Sequence, residues 1–259
     1  MRGVQGVADD TRVQARDLLV VLFGALVVVA LIGGATQASA RRACVSASYD
    51  DGYSYAGHQA AFRGHGVRAT ITATRAPGVE VGHVAGWVGV GGPGQGANGS
   101  DEWIQAGIAS TPGMGSVVYA EIKQENREPE FVLVDEGVAL GRPYRIAVLE
   151  MSRRPGWWRV WVDGGRVTAP VQMRGSSGRW APIATAESWN VRTAACNEFG
   201  FRFERVSVSH GRGGSWRPFV PGHRFLSGMN ELRAPAAAPH ERSVAAGTLR
   251  MYAFTALSG

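Results

Sequence analysis

Gln105 is the residue around which chemistry can be built. In the stretch Gly86 to Ala109, GWVGVGGPGQGANGSDEWIQAGIA, Val88 and Val90 alternate with Trp87 and Gly89. Beyond a glycine-rich loop, Ile104, Ala106 and Ile108 alternate with Trp103, Gln105 and Gly107, the period of two of half-buried strands. One face is aliphatic, and the other carries an amide flanked by Trp87 and Trp103. Exposed indoles gain little unless something covers them, so this face reads as a binding surface rather than plain solvent contact. The same parity elsewhere supplies carboxylates. Ser116 to Lys123, SVVYAEIK, turns Val118, Ala120 and Ile122 one way and Tyr119, Glu121 and Lys123 the other. In Trp180 to Glu187 the small Ala184 and Ala186 can pack inward, which leaves Thr185 and Glu187 outside the core with Trp87, Gln105 and Glu121. A carboxylate can take a proton from water as it attacks a carbonyl, and an amide donor can stabilise the oxyanion that forms; neither needs a metal. The plainer alternative is that these polar groups bond one another on a wet face.

Other chemistries lack their residues. Gly89, Gly91 and Gly94 satisfy GxGxxG after a strand, but QGANGS follows where a helix should open, which argues against a dinucleotide site. GxxxxGK[ST], HExxH and GxSxG are absent, and the six histidines are dispersed, so neither a phosphate loop, a zinc helix nor a Ser/His/Asp arrangement is expected. Asp50, Asp51, His58 and His65 match no metal-ligand spacing. No cofactor and no metal are expected. The net charge is +6, carried almost wholly by arginine, with Lys123 the only lysine. The positives are scattered and form no nucleic-acid-binding stripe.

The elements that must hold this face are strands. Thirty-six glycines, eight tryptophans and repeated short Val/Ile/Phe alternations point to an all-β chain of many short strands, because glycine is costly inside helices. At 259 residues one large domain fits, as it does for all-β sandwiches of this length. Strands are expected over Arg68–Arg75, Val84–Val90, Glu102–Ile108, Ser116–Lys123, Phe131–Val134, Tyr144–Met151, Gly156–Val162 and Trp180–Glu187. Asp163-Gly164-Gly165 is a hairpin signal into Arg166–Val171. Phe199, Phe201 and Phe203 alternate, but Val206 and Val208 have the opposite parity, so a bulge near Glu204 or Arg205 would restore the core face. The domain is placed at 67–231, after an irregular lead-in over 41–66 and before an Ala/Pro-rich tail over 232–259 that pairs loosely.

Leu18 to Ala35 has no polar or charged side chain, follows Arg12 and Arg16, and precedes Ala38-Ser39-Ala40, the spacing a signal peptidase accepts. Residues 1–40 are therefore read as a signal peptide or an uncleaved anchor helix, and the domain as secreted or held at the cell surface, touching membrane only through that leader. The only cysteines, Cys44 and Cys196, are expected to form one disulfide in that oxidising compartment.

Four short landmarks then occur in order: Trp87-Val88-Gly89-Val90-Gly91-Gly92, Gln105-Ala106-Gly107-Ile108, Tyr119-Ala120-Glu121 and Ala186-Glu187-Ser188-Trp189. They resemble those of the eqolisins, the glutamic peptidases. The resemblance spans roughly Trp87 to Phe203; Gly91 and Ile122 stand where the family has an acidic residue and a further tryptophan. It implies a concanavalin A-like (lectin/glucanase) sandwich of two curved antiparallel sheets, a jelly roll acting as a monomer. It also implies a catalytic pair of Gln105 and Glu187 on the concave face, with Trp87, Trp103, Tyr119 and Glu121 lining the substrate cleft. The implied activity is acid endopeptidase on polypeptide. The alternative on the same sandwich is a noncatalytic module in which Trp87, Trp103 and Tyr119 stack against the rings of a surface glycan or a peptide.

Overall fold

The computed structural model describes residues 52–193, 195–228, 230–234 and 252–258. The leader, Cys44 and most of the 41–66 lead-in before Gly52 lie outside the described residues, as does the Ala/Pro-rich part of the tail. The proposed bridge therefore stays an expectation at its Cys44 end.

Strands follow in chain order: β1 (Tyr53–Ala60), β2 (Gly66–Gly78), β3 (His83–Gly92), β4 (Glu102–Ser110), β5 (Val117–Lys123), β6 (Glu130–Asp135), β7 (Pro143–Glu150) and β8 (Trp157–Val162). Then come β9 (Gly165–Arg166), β10 (Val171–Gln172), β11 (Ile183–Trp189), β12 (Glu198–Ser209), β13 (Trp216–Pro218), β14 (Pro221–Leu226), β15 (Asn230–Arg233) and β16 (Tyr252–Ser258). The helical structure among the described residues is one 3-10 turn, Ala97–Gly99, in the glycine loop. Two antiparallel sheets result, one ordered β14-β1-β11-β3-β4-β5-β6 and the other β10-β8-β7-β2-β12-β16-β15, with β13 added to β12 and β9 to β8. This is the all-β chain expected from the alternation, arranged as the antiparallel sandwich that the landmark resemblance implies.

The aliphatic face of each strand points between the sheets. Val88, Ile104, Ile108, Val118, Ile122 and Val148 are all buried in one core with Ala184, Ala186 and the Phe199, Phe201 and Phe203 row. Ile104 is fully buried at 0% exposure, opposite Val90 on β3 and Ile122 on β5. Truncation of Ile104 to Ala is expected to lower stability by about 2 to 5 kcal/mol, from lost transfer energy and the cavity left behind. Urea unfolding measures this, and a loss under about 1 kcal/mol would mean that the site is not a packed core position.

Two local features follow the sequence closely. Asp163 and Gly164 both take positive φ, 49° and 87°, and Val162 pairs with Gly165, a two-residue turn whose twist matches the strands it joins. On β12, Phe203 pairs with Phe254 but Val206 with Tyr252, one residue more than the partner uses, and Arg205 has φ 54°. That bulge lets the phenylalanine row and Val206 and Val208 face the same core despite opposite parity.

Two readings need correction. Tyr53–Ala60 is a strand, not an irregular lead-in, and it lies inside the first sheet between β14 and β11. Its period was hidden because its outward face carries Tyr53, Tyr55 and Gln59 over a groove, while the inward Ala56 and Ala60 are small. Neither face is a clean aliphatic row. The tail reading fails for Tyr252–Ser258, which is internal to the second sheet, between β12 and β15. There Phe254 and Ala256 are buried in the core, and Phe254 stacks on Phe203 at 4.6 Å and 9°. Pro221–Leu226, inside the expected domain, is the edge strand beyond β1.

Candidate active site

The outer face of the first sheet holds a groove of about 420 Å³, lined by Tyr53, Tyr55, His83, Trp87, Trp103, Gln105, Glu121, Thr185, Glu187 and Phe225, among others. Register explains why these side chains share it. Gln105 on β4 lies opposite Glu121 on β5 and Gly89 on β3. Trp87 lies opposite Gly107 and Thr185, and Glu187 opposite Ala85. All have the parity that turns away from the core.

Glycine allows the crowding. A Cβ built on Gly89 would sit 2.7 Å from the Cβ of Gln105, and one on Gly107 would sit 2.1 Å from the Gly86 carbonyl and 2.7 Å from the Cβ of Trp87. Any side chain there would push Gln105 or Trp87 off its seat, so the two glycines are needed for close approach.

Gln105 and Glu187 are not on neighbouring strands. β3 runs between β4 and β11, and Glu187 pairs with Ala85 while Gln105 pairs with Gly89, four positions further along β3. The groove collects both side chains, at 8% and 6% exposure. Glu121 links them electrostatically, since it sits directly across from Gln105 and feels the charge of Glu187.

Hydrogen bonds hold each carboxylate. Glu121 Oε1 accepts from Trp103 Nε1 at 2.7 Å. Glu187 Oε1 is 3.2 Å from His83 Nε2. Burial pushes the Glu121 carboxyl above its ordinary value; the Trp103 bond opposes this, Glu187 adds to it by like-charge repulsion, and His83 opposes it. The Tyr119 hydroxyl is raised well above its ordinary range, by burial first and then by Glu187 and Glu121, against a side-chain hydrogen bond from Gln105.

The raised Glu121 has a consequence for stability. A folded state that binds a proton more tightly than the unfolded chain is favoured while the group is protonated. Stability from this source is fully present below the ordinary value of 4.5 and is lost as pH rises through the elevated folded value. Glu121→Gln should therefore gain stability relative to the parent on the high side of that window and not below it. Melting curves of both proteins against pH test this, and a pH-independent difference would contradict it.

Of the residues named from sequence, Gln105, Glu187, Glu121, Trp87 and Trp103 line the groove. Tyr119 does not; it is 2% exposed and stacks on Phe131 at 5.1 Å. Trp87 is only 7% exposed and packs with Tyr119, Ala85, Ala109, Val117 and Ile183 in a second apolar cluster. Both aromatics are packed into that cluster, and so they are not free stacking platforms. The aromatic wall is supplied instead by β1 and its neighbours. Tyr53 stacks with Tyr55 at 6.0 Å and with Trp189 at 5.9 Å, and Tyr55 meets Phe225 of β14 at 6.1 Å. Sequence reading missed these with β1, and it missed His83, although His83, Ala85 and Trp87 share a parity that would have placed the imidazole on this face. Among the described residues, no cluster of three or more His, Cys, Asp or Glu side chains could hold a metal ion.

No protein-family model matches the chain, and no curated protein matches it in sequence. Among solved structures it is similar to scytalido-glutamic peptidase bound to a transition state analog inhibitor, at 13% identity over 79% of this chain and 97% of that chain, with a TM-score of 0.49. It is also similar to SCP-B, an eqolisin-family peptidase in complex with the tripeptide Ala-Ile-His, at 13% identity, the same coverage and a TM-score of 0.40. A Bacillus licheniformis β-glucanase is similar over 51% of this chain and 55% of that one, at 16% identity and a TM-score of 0.33. The four landmarks all lie on the first sheet of the antiparallel sandwich, on β3, β4, β5 and β11.

Proposed function

We propose that the chain is an exported acid endopeptidase of the glutamic type, with Glu187 as general base and Gln105 as oxyanion donor. The observation that carries this reading is the gathering of an amide and two carboxylates, Gln105, Glu121 and Glu187, into one groove whose lining, among the described residues, contains no Lys or Arg to neutralise them.

The chemistry runs in two proton transfers. Glu187 takes a proton from a water molecule as its oxygen attacks the scissile carbonyl carbon, and the carbonyl oxygen becomes an oxyanion that accepts from the Gln105 amide. The tetrahedral intermediate then collapses by breaking its C–N bond. The leaving amine takes a proton from the carboxyl of Glu187, which restores the base. Glu121 retains its proton to higher pH than an ordinary carboxyl, which reduces the like-charge repulsion in the groove as pH falls.

A noncatalytic glycan-binding module draws less support, because two of the three aromatics it would use as platforms, Trp87 and Tyr119, are buried. The deciding experiment incubates the purified chain with denatured protein from about pH 3 to about pH 8 and follows new amino termini. Cleavage that increases below neutrality supports the peptidase. No cleavage at any pH, together with retention on a glycan array, would replace it with the binding module.

A further inference from the structure

We propose that His83 is the orienting partner of the base, its Nε2–H holding Oε1 of Glu187 so that Oε2 is the oxygen presented to the attacking water. The proposal rests on the assignment of Glu187 as base and adds to it a residue outside the four landmarks. His83 starts β3 and pairs in register with Trp189, two positions beyond Glu187 on β11. Its Nε2 lies 3.2 Å from Glu187 Oε1, and the two side chains are 19% and 8% exposed. The imidazole is bracketed by aromatic rings, Trp189 at 5.6 Å and Tyr53 at 5.9 Å in an edge-on arrangement, so the ring cannot swing freely away from the carboxylate.

The polarity of the bond follows from the atoms. An ionised carboxylate only accepts, so Nε2 must carry the hydrogen in both the neutral and the cationic ring. The bond therefore survives loss of the ring's charge and selects one tautomer, as a partner on one ring nitrogen does elsewhere. The other titratable groups that act on or touch this ring are Glu121 from β5 and Tyr53 from β1, with Tyr55 in the same groove. The contact with His83 is made by Oε1, not by Oε2. The terminal torsion of a glutamate is broad and nearly two-fold, so without a partner on one oxygen the carboxylate would present both in turn. Holding one oxygen turns an averaged group into an aligned base, the kind of placement whose loss costs up to about a hundredfold.

Two measurements on the full chain test this. In the first, His83→Ala should lower kcat by about tenfold to a hundredfold with KM nearly unchanged, because substrate does not need the imidazole to bind. His83→Gln, whose amide donates from similar reach, should recover most of that loss. In the second, the ¹⁵N spectrum of the His83 ring should show the neutral form protonated on Nε2 in the parent and a mixture of tautomers in Glu187→Ala. Undiminished kcat in His83→Ala, or a parent ring protonated on Nδ1, overturns the proposal and leaves the peptidase reading standing. A parent chain that cleaves nothing overturns the peptidase reading and the catalytic role of His83 with it, while the tautomer still reports whether the bond exists.

Discussion

Glu187→Gln is expected to abolish peptide cleavage and Gln105→Ala to lower kcat by about a hundredfold or more, the scale seen when one oxyanion donor is removed. The two substitutions act on different moments of the same step. Gln at 187 keeps the shape and an oxygen for His83 Nε2, so the fold and the 3.2 Å contact need not change. What it loses is the group that accepts a proton from water. Ala at 105 leaves the base intact and removes the donor aimed at the charge that develops on the substrate, so binding in the ground state should change little and the transition state much. Gln105 is adjacent to Gly89 and Gly107, the positions where added side-chain bulk would collide, and truncation there relieves crowding instead of adding it. Melting temperatures within a few degrees of the parent would separate a catalytic loss from an unfolded one. In the parent, activity should rise below neutrality as Glu121, elevated by burial, gains its proton. Retention of activity within about tenfold in Glu187→Gln would remove this residue from the mechanism.

Glu150→Ala is expected to cost about 3 to 5 kcal/mol of stability, although the residue is far from the groove's chemistry. Glu150 is fully buried at 0% exposure. Its Oε2 lies 2.6 Å from His65 Nδ1 and its Oε1 accepts from the Gly156 backbone N–H at 2.6 Å. Around the same point the Glu150 N–H donates to the His65 carbonyl, and the Gly213 N–H donates to the Glu150 carbonyl. One carboxylate thus ties the start of β2 to the turn between β7 and β8. Removing it strands the buried Gly156 N–H without an acceptor and takes from the partly exposed His65 its carboxylate partner, and a buried group left unpaired costs more than the pair contributes. Glu150→Gln, which keeps an acceptor for Gly156, should lose clearly less. Urea midpoints for the two variants measure the difference, and a Glu150→Ala loss under about 1 kcal/mol would show that the contacts are dispensable.

The sequence by itself determined the pieces whose physics is local. A period of two says which side chains of one strand share a face, so Ile104 was assigned to the core and Gln105 to the opposite face without knowledge of any partner strand. Asp163-Gly164 demanded its turn because both positions need positive φ. The parity break between Phe203 and Val206 demanded one extra residue because all of these side chains are too apolar to leave the core. Gln105 and Glu121 were placed on one face by the same rule, applied twice to strands joined by a short loop.

What only the tertiary structure decided is what depends on strands far apart in the chain. No pattern within β11 says that it docks beside β3, or that β3 then separates Glu187 from Gln105; that order follows from which buried faces fit together across the whole sandwich. His83 and Glu187 are 104 positions apart and meet only because β3 and β11 pair. Tyr53–Ala60 and Tyr252–Ser258 entered the sheets against a weak or overlooked pattern, since a strand flanked on both sides gains its hydrogen bonds from neighbours whatever its own periodicity. Burial of Trp87 and Tyr119 was equally out of reach: parity puts both on the outer face, but that face carries an apolar cluster of its own, with Phe131 and Phe225 packed against it. Alternation reports direction, and only the packed sheet reports what lies in that direction.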